Sequence, residues 1–401
     1  MICEVPRASR DYVLSSDFFP TIGGAHTWLY EVYRRWPTPV EVLTYEYSKS
    51  GIQARAERDF DSRQHGALQI YRVVPRFGAI SILNPRFLRS MGSCIKATRQ
   101  RGQKWPQRRI HVLRAFPDGF AGYLVWRLNP YGTRLITYAH GEEILVAKSS
   151  RELSYMTRLV YGNSSVVIAN SEHTRRAVLE IAPRANVVVV HPGVDCGSFR
   201  VNREAVELYR MGLGWEPGTT VVLTLGRMEA RKNHAGVMRA VSLLRREGLS
   251  VAYVCAGDGV ERGGLIELAK SLNMKSCVRF PQMVSEWEKR MLFGASDLFA
   301  MPSIQSGAMI EGFGIVFLEA AASGLPSISG NNGGQMEAVQ HGVTGLAVDG
   351  RRDEEIAAAI RDLVINVEQR KRMACAARQW AGEHDWKHVV CKTLAVVEGE
   401  S

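Results

Sequence analysis

The apolar positions of the chain follow two alternating patterns. Short β-branched runs such as Thr219–Leu225 and Val251–Cys255 predict buried strands, while His234–Glu247 and Asp353–Asn366 carry apolar residues at helical spacing. Strands and helices that alternate at this pitch are typical of a parallel sheet with helices on both faces. The sequence therefore predicts an α/β protein.

The pattern runs through both halves of the chain and predicts two Rossmann-like, doubly wound parallel-sheet domains, residues 1–192 and 193–385, facing across a deep cleft. A C-terminal helix at about 386–401 is expected to pack back on the first domain. The predicted strands are Tyr12–Ser16, Val40–Tyr45, Leu68–Val74, Ile110–Leu113, Leu135–Tyr138, Val166–Ala169, Val187–Val190, Thr219–Leu225, Val251–Cys255, Val278–Val284, Asp297–Met301, Ser327–Ser329 and Thr344–Val348. Ligands of such sheets bind beyond the carboxyl ends of the strands, so we expect the site in the cleft.

The charge is distributed unevenly over the 401 residues. Residues 1–195 contain 27 Lys and Arg against 16 Asp and Glu, whereas residues 196–401 contain 24 of each, so the net charge of +11 lies entirely in the first half. Between Ser62 and Pro117 there are twelve basic residues and no acidic one. Such a surface attracts phosphates of a nucleic acid, an anionic membrane or an anionic substrate, unless it is only a solvated face.

The cysteines and the N-terminus indicate a cytoplasmic protein. Seven scattered cysteines without a C-x-x-C pair argue against a disulfide framework and a structural zinc site. Met1–Arg10 lacks the apolar core of a signal peptide, and no run reaches the roughly 20 apolar residues of a membrane span. We expect at most a peripheral contact with the inner face of the membrane.

Two loops that follow predicted strands carry candidate chemistry. In Gly226–Asn233, the cations Arg227 and Lys232 precede a helix and could bind a diphosphate. In the second loop, Gly312 and Gly314 permit a tight turn that leaves backbone N–H groups free at the start of a helix. Glu311 precedes this turn, and Glu319 follows it within the helix. Carboxylates in these positions could accept hydrogen bonds from the hydroxyls of a sugar and a ribose. No D-x-D motif, which could hold a metal ion, follows a predicted strand. Asp59-Phe60-Asp61 has this pattern but lies in a polar stretch of the first domain.

These residues resemble the motifs of the family 4 glycosyltransferases, retaining enzymes of the GT-B fold. The resemblance rests on G-R-x4-K-N at Gly226–Asn233 and E-G-F-G-I-V-x-L-E at Glu311–Glu319, and extends over nearly the whole chain. Supporting segments, in order, are Gly23-Gly24, Phe116–Gly119, His140–Glu142, Ala169–Ser171, His191–Asp195, Ala256–Gly259, Gly333-Gly334 and Thr344-Gly345. Their order and spacing are specific together, although each alone is weak.

The resemblance implies a role for each matching residue. Arg227 and Lys232 would bind the donor diphosphate and stabilise the leaving group without a metal, Glu319 the ribose, and Glu311 the transferred sugar. His140 would lie beside the sugar at the anomeric carbon, although it could simply end a strand. The base would stack near Phe280–Val284. The predicted donor-binding residues are Gly23, Gly24, Arg227, Lys232, Met283, Glu311, Gly312, Phe313, Gly314, Ile315, Val316 and Glu319, those that carry the reaction are His140, Glu311, Arg227 and Lys232, and no cofactor or metal ligand is predicted.

The basic segment Pro85–Lys104 is predicted to be a helix with Phe87, Leu88, Met91 and Ile95 on one face. This face could pack on the domain's own sheet or rest on an anionic leaflet. Arg86, Arg89, Lys96 and Arg99 are the predicted acceptor or membrane contacts. A lipid-linked acceptor would fit this surface.

The sequence leaves the substrates open. The segment from His140 to Asp195 resembles bacterial mannosyltransferases and hexosyltransferases of lipid and polysaccharide synthesis, which favours GDP-mannose, but a UDP-sugar with a soluble acceptor is an alternative. A nucleic-acid-binding protein would need stacking aromatic residues or a helix-turn-helix among the arginines, and neither is evident.

Overall fold

The computed structural model describes residues 10–15, 18–20, 23–48, 51–64, 68–74, 84–102, 108–128, 132–307 and 309–399. Internal contacts divide the chain into two compact units. Unit 1 comprises Met1–His191 and Trp386–Ser401, and unit 2 comprises Pro192–Asp385.

Unit 1 is built on a seven-stranded sheet in the order β3-β2-β1-β4-β5-β6-β7, in which all neighbouring strands are parallel. The order reverses between β1 and β4, which makes this pair the topological switch point. The strands are β1 Arg10–Leu14, β2 Val40–Tyr45, β3 Leu68–Val74, β4 Arg108–Val112, β5 Thr133–Ala139, β6 Val166–Ala169 and β7 Val187–Val189.

Unit 2 repeats the plan with a six-stranded parallel sheet in the order β10-β9-β8-β11-β12-β13. Here the order reverses between β8 and β11. The strands are β8 Thr220–Leu225, β9 Val251–Ala256, β10 Val278–Arg279, β11 Leu298–Met301, β12 Ser327–Gly330 and β13 Gly345–Val348.

Helices connect successive strands and supply the apolar faces that cover the sheets. The α-helices are α1 Gly24–Tyr33, α2 Ile52–Ser62, α3 Pro85–Gly102, α4 Phe120–Leu128, α5 Glu142–Lys148, α6 Arg151–Asn163, α7 Glu172–Ile181, α8 Arg203–Gly212, α9 His234–Arg246, α10 Arg262–Ser271, α11 Glu286–Gly294, α12 Ile315–Ser323, α13 Gln335–Ala338, α14 Asp353–Ile365, α15 Val367–Glu383 and α16 Trp386–Glu398. The two parallel sheets with their helices confirm the α/β, Rossmann-like prediction.

A buried ionic network ties the C-terminal helix α16 to the sheet of unit 1. Asp11 of β1 accepts hydrogen bonds from Arg109 Nε at 2.6 Å and from the His111 ring at 2.9 Å. Arg109 also pairs with Glu398 of α16. Burial raises the pKa of Asp11, but the hydrogen bonds and charges of His111 and Arg109 outweigh it and hold the pKa well below the ordinary value.

The core of unit 1 covers three of the four apolar residues that were predicted to share one face of α3. Phe87 and Met91 of α3 are buried in the unit 1 core and Ile95 packs against it, but the Leu88 side chain is 52% exposed. Leu88 lies about 100° around the helix from Phe87, at the edge of the covered side.

One predicted strand is also too long. β10 ends at Arg279, whereas the apolar run predicted a strand to Val284. Pro281 cannot donate a ladder hydrogen bond, and its carbonyl instead accepts one from Gly257 N at 2.9 Å. The segment after Arg279 is therefore a loop that leads into α11.

Candidate active site

In unit 2, the candidates Arg227, Lys232 and Glu311 lie on loops that follow β8 and β11, the two strands on either side of the switch point. The loop after β8 ends in a 3₁₀ turn, Ala230–Lys232. The carbonyl of Arg231 in this turn accepts a hydrogen bond from Ile304 N of the second loop at 2.8 Å. The two loops are thus held together through their backbones.

Asn233 fixes the position of Lys232. It adopts a left-handed conformation with φ 58° and begins α9, where its side-chain oxygen accepts a hydrogen bond from Gly236 N at 3.2 Å. Its amide nitrogen donates to Gly350 O at 2.6 Å. Asparagine tolerates this backbone conformation better than most residues do. The Lys-Asn pair of the motif therefore has a structural reason that sequence analysis missed.

A buried cluster of charges forms where the two loops meet. Lys232 Nζ and Arg231 Nη1 both donate to Glu311 Oε2, at 2.5 and 3.0 Å. The side chains of Arg231 and Lys232 are only 6% and 11% exposed. Burial raises the pKa of Glu311, but the charges and hydrogen bonds of Lys232 and Arg231 outweigh it and lower the pKa below its ordinary value. Glu311 is therefore a carboxylate at neutral pH.

Arg231 is the member of this cluster that sequence analysis missed. It precedes Lys232 in a loop with no hydrophobic periodicity, so nothing in the sequence shows that its side chain is buried. The only available signal was the adjacency of two basic residues, which is usually a sign of a solvated loop.

The glycine turn leaves the start of α12 available to a ligand. Gly314 has φ 91°, which favours glycine, and α12 begins at Ile315. The N–H groups of Ile315 and Val316 belong to the first turn, which has no acceptor within the helix. Gly312 lies at the bend of the same turn, while the Phe313 side chain is 2% exposed and packs in the unit 2 core.

The loop after β12 supports Glu311 from behind. Gly334 N donates to Glu311 O at 2.9 Å. Gly333 has φ 64°, and a Cβ there would approach Glu311 O to 2.5 Å. Only glycine fits this close approach, which accounts for Gly333.

Glu319 is also held by a cation. Lys289 of α11 donates to Glu319 Oε1 at 2.8 Å and pairs with Glu286 at 3.0 Å. Burial lowers the pKa of Lys289, but the two carboxylates outweigh it and raise the pKa above its ordinary value. Sequence analysis missed Lys289, since a basic residue in the second turn of an amphipathic helix carries no signal of its own.

Arg227 and Met283 are the exposed members of the predicted set. The Arg227 side chain is 62% exposed and pairs with Glu229 at 2.9 Å. Met283 is 85% exposed, has φ 52°, and lies in the loop between β10 and α11. Arg227 is therefore not part of the buried cluster around Glu311.

In unit 1, helix α1, which begins at the Gly23-Gly24 pair, packs against His140. Gly23 caps α1, which begins at Gly24, and Gly23 O accepts a hydrogen bond from Thr27 N at 2.9 Å. Trp28 of α1 packs edge-on against the His140 ring, with centroids 5.4 Å apart. His140 follows β5, a neighbour of the switch-point strand β4.

The protonation state of His140 follows from its contacts. Desolvation of the ring, reinforced by the charge of Arg114, lowers the pKa of His140 to about 3, although the hydrogen bond to Leu113 O opposes this. Since a carbonyl only accepts, His140 Nε2 must carry the proton that it donates to Leu113 O at 2.9 Å. His140 is thus a neutral ring whose Nδ1 can accept a hydrogen bond.

The predicted basic surface residues of α3, Arg86, Arg89, Lys96 and Arg99, are all exposed. Within the described part of the chain, no helix is both long and apolar enough to cross a membrane. The described residues also contain no group of three or more His, Cys, Asp or Glu side chains placed to hold a metal ion.

Each half of the chain matches a known protein family. Residues 22–198 match the family described as Glycosyltransferase Family 4, and residues 206–380 match Glycosyl transferases group 1. A GDP-mannose-dependent alpha-(1-6)-phosphatidylinositol monomannoside mannosyltransferase of Mycobacterium tuberculosis is 33% identical over 273 residues, covering 67% of this chain and 70% of that protein. The chain belongs to glycosyltransferase family 4.

The matches to other relatives are shorter. A D-inositol 3-phosphate glycosyltransferase of Rhodococcus erythropolis is 33% identical to this glycosyltransferase over 239 residues. That match covers 57% of this chain and 52% of the relative.

Solved structures agree with the fold of this glycosyltransferase. HepE of Anabaena in complex with UDP aligns with a TM-score of 0.79 at 19% identity, covering 97% of this chain and all of that one. A glycosyltransferase from Rickettsia africae aligns with a TM-score of 0.77 at 17% identity, covering 98% of each chain. The glycosyltransferase thus has the GT-B fold, as the sequence motifs predicted.

Proposed function

We propose that this glycosyltransferase transfers mannose from GDP-mannose to a hydroxyl of a lipid-linked or glycan acceptor. The observation that carries the proposal is the buried cluster of Arg231, Lys232 and Glu311 between β8 and β11, next to the open start of α12. The choice of donor rests on the GDP-mannose-dependent relative named above.

The proposed reaction requires groups that stabilise negative charge on the leaving phosphate. As the bond between the sugar C1 and the diphosphate breaks, negative charge develops on the leaving phosphate oxygen. Lys232, Arg227 and the N–H groups at the start of α12 can stabilise that charge, since a helix start carries a positive partial charge. These groups would act without a metal ion.

The remaining site residues bind the two sugars. Glu311, a carboxylate, would accept a hydrogen bond from the transferred mannose, and Glu319 from the ribose. His140 would contact the mannose through its neutral ring. The acceptor oxygen forms the new bond to C1 on the face from which GDP departs, and its proton passes to the departing phosphate oxygen, which gives retention.

Binding and turnover test the donor. In a thermal-shift screen, a nucleotide sugar at 100 times its dissociation constant adds about 2.7 kcal/mol to the unfolding free energy. We expect GDP-mannose to stabilise the protein and to be turned over with EDTA present, and Lys232→Ala or Glu319→Ala to abolish the shift. A shift with UDP-sugars alone would replace the donor with the UDP-linked alternative, and a shift that survives both variants would refute the site.

Retention and metal independence have their own readouts. The anomeric configuration of the product, read by NMR, should match that of the donor. An inverted product would refute front-face attack, and a rate lost on EDTA treatment and restored by a divalent cation would refute metal-independent stabilisation of the leaving group.

The exposed face of α3 suits an acceptor held at an anionic membrane. Each basic residue close to an anionic leaflet contributes about 1 kcal/mol, so Arg86, Arg89, Lys96 and Arg99 together would supply about 4 kcal/mol. In flotation assays, we expect binding to anionic but not to neutral vesicles, and loss of binding when Arg86 and Arg89 become Gln. The control exchanges two exposed arginines of unit 2, Arg351 and Arg372. Equally weak binding to both vesicle types would refute the membrane contact and favour a soluble acceptor.

A further inference from the structure

Glu311 has two cationic partners, of which the proposed reaction uses only one. Arg231 Nη1 and Lys232 Nζ reach the same carboxylate oxygen, Oε2, and Oε1 takes part in neither contact. Lys232 is needed for the diphosphate. Arg231, the more deeply buried of the two, has no role in the reaction described so far.

Arg231 is fixed in place, whereas Lys232 can move. Arg231 Nε donates to Glu229 Oε2 at 3.2 Å, and its backbone carbonyl accepts the hydrogen bond from Ile304 N. An arginine bound through its planar fork keeps its orientation, but a lysine ammonium sits on a flexible four-carbon stem. The two cations therefore differ in their freedom to leave Glu311.

Donor binding makes this difference important. An arriving diphosphate competes with Glu311 for the ammonium of Lys232. If Lys232 were the only cation beside Glu311, its departure would leave a buried, unpaired carboxylate. Such a group is driven toward the protonated form, and it also loses its orientation. Glu311 would then be a poor acceptor for a sugar hydroxyl at the moment when the sugar arrives.

We propose that Arg231 is a positioning residue that keeps Glu311 charged and aimed at the transferred sugar while Lys232 turns to the diphosphate. The inference rests on the proposed function, because it uses the assignment of Lys232 and Glu311 to the donor. The two oxygens of Glu311 then act separately, since Oε2 stays on Arg231 and Oε1 accepts from the sugar.

The variants Arg231→Met and Arg231→Lys test the role, with Lys232→Met for comparison. For Arg231→Met we expect kcat to fall about 100-fold, the scale of a misplaced reacting geometry. The acidic limb of its pH–rate profile should move to higher pH, since removing one cation raises the pKa of Glu311. Arg231→Lys should move the limb back, because it restores the charge. The GDP dissociation constant should change far less than in Lys232→Met.

A thermal melting transition without ligand shows whether each variant is folded, and two results would overturn the role. One is an Arg231→Met enzyme with the wild-type kcat and acidic limb. The other is a loss of GDP affinity as large as that of Lys232→Met with the limb unmoved, which would make Arg231 a diphosphate ligand. Turnover of a UDP-sugar in place of GDP-mannose would refute the donor but leave this test intact, since both donors carry a diphosphate.

Discussion

Replacing Glu311 by glutamine should destabilise the free enzyme and strengthen its affinity for GDP. The change keeps the size of the side chain but removes the negative charge that Arg231 and Lys232 share. Glutamine can still accept one hydrogen bond, so the geometry of the loop is preserved. The two buried cations are then left to repel each other.

The structure gives the scale of the loss. Removing one partner of a buried ion pair costs about 3–5 kcal/mol. We expect the lower value, about 3 kcal/mol, because Arg231 keeps Glu229 at 3.2 Å and Lys232 can turn toward water. A domain of 150–250 residues loses about 2–4 °C of melting temperature per kcal/mol, so the transition of unit 2 should fall by about 6–12 °C.

GDP should reverse much of this loss, since its diphosphate supplies the missing negative charge. In the native site the diphosphate must displace Glu311 from Lys232, and in the variant it need not. If that competition amounts to about 1.4 kcal/mol, GDP binds about tenfold more tightly to Glu311→Gln than to the wild type. Mannose transfer should nevertheless be lost.

Calorimetry with and without GDP and titration of GDP measure the two effects. Glu229→Gln is the matched control, because Glu229 is more exposed and its pairs should be worth at most about 1 kcal/mol. A Glu311→Gln protein with the wild-type melting temperature and a GDP affinity reduced tenfold would refute the reasoning, since Glu311 would then hold the nucleotide itself rather than compete with it.

Three further predictions concern residues outside this cluster. Lys289→Met should weaken GDP binding about tenfold by leaving Glu319 without its cation, while pyrophosphate affinity, which does not involve the ribose, stays unchanged in the same titration. Because the pKa of His140 is about 3, its removal should lower kcat without changing the shape of the pH–rate profile between about pH 5 and 8, and loss of a limb in that range would contradict the neutral ring. Asp11→Asn should lower the stability of unit 1 by about 3–5 kcal/mol at neutral pH, as the Arg109 pair is broken. Since the pKa of Asp11 is lowered, this stability is present above about pH 4 and is lost as the pH falls, so denaturation curves of wild type and variant should converge in acid.

The sheet strands were predictable because their signal is local. β2, β3 and β6 match the predicted bounds, and β8 and β9 differ by one residue, since β-branched runs of strand length are buried wherever parallel sheets form. The end of β10 was not predictable, because it depends on the contact of Pro281 with Gly257 in another loop.

The site was predictable only as far as its backbone. Glycine turns and their distance from strand ends can be read from the sequence, and they led to Glu311, Glu319 and Lys232 as candidates, whose roles stay predictions. Arg231 and Lys289 were missed because their importance arises from burial and from partners 80 and 30 positions away in the chain. No pattern within a loop or a single helix reports such a partner.

The proposed donor site in unit 2 does not depend on the basic excess of the first half of the chain. In unit 2, Arg227 pairs with Glu229, Lys232 with Glu311, and Lys289 with Glu319. In the proposed donor complex, the diphosphate would therefore meet two cations, Arg227 and Lys232, that already have carboxylate partners, and it would bind by replacing a carboxylate with a phosphate rather than by entering a positive field. Such an exchange disfavours small anions that cannot replace every lost contact, but a nucleotide sugar can also engage the released carboxylates through its hydroxyls. The excess positive charge of the first half is not needed for this exchange, in keeping with the proposal that it serves the acceptor.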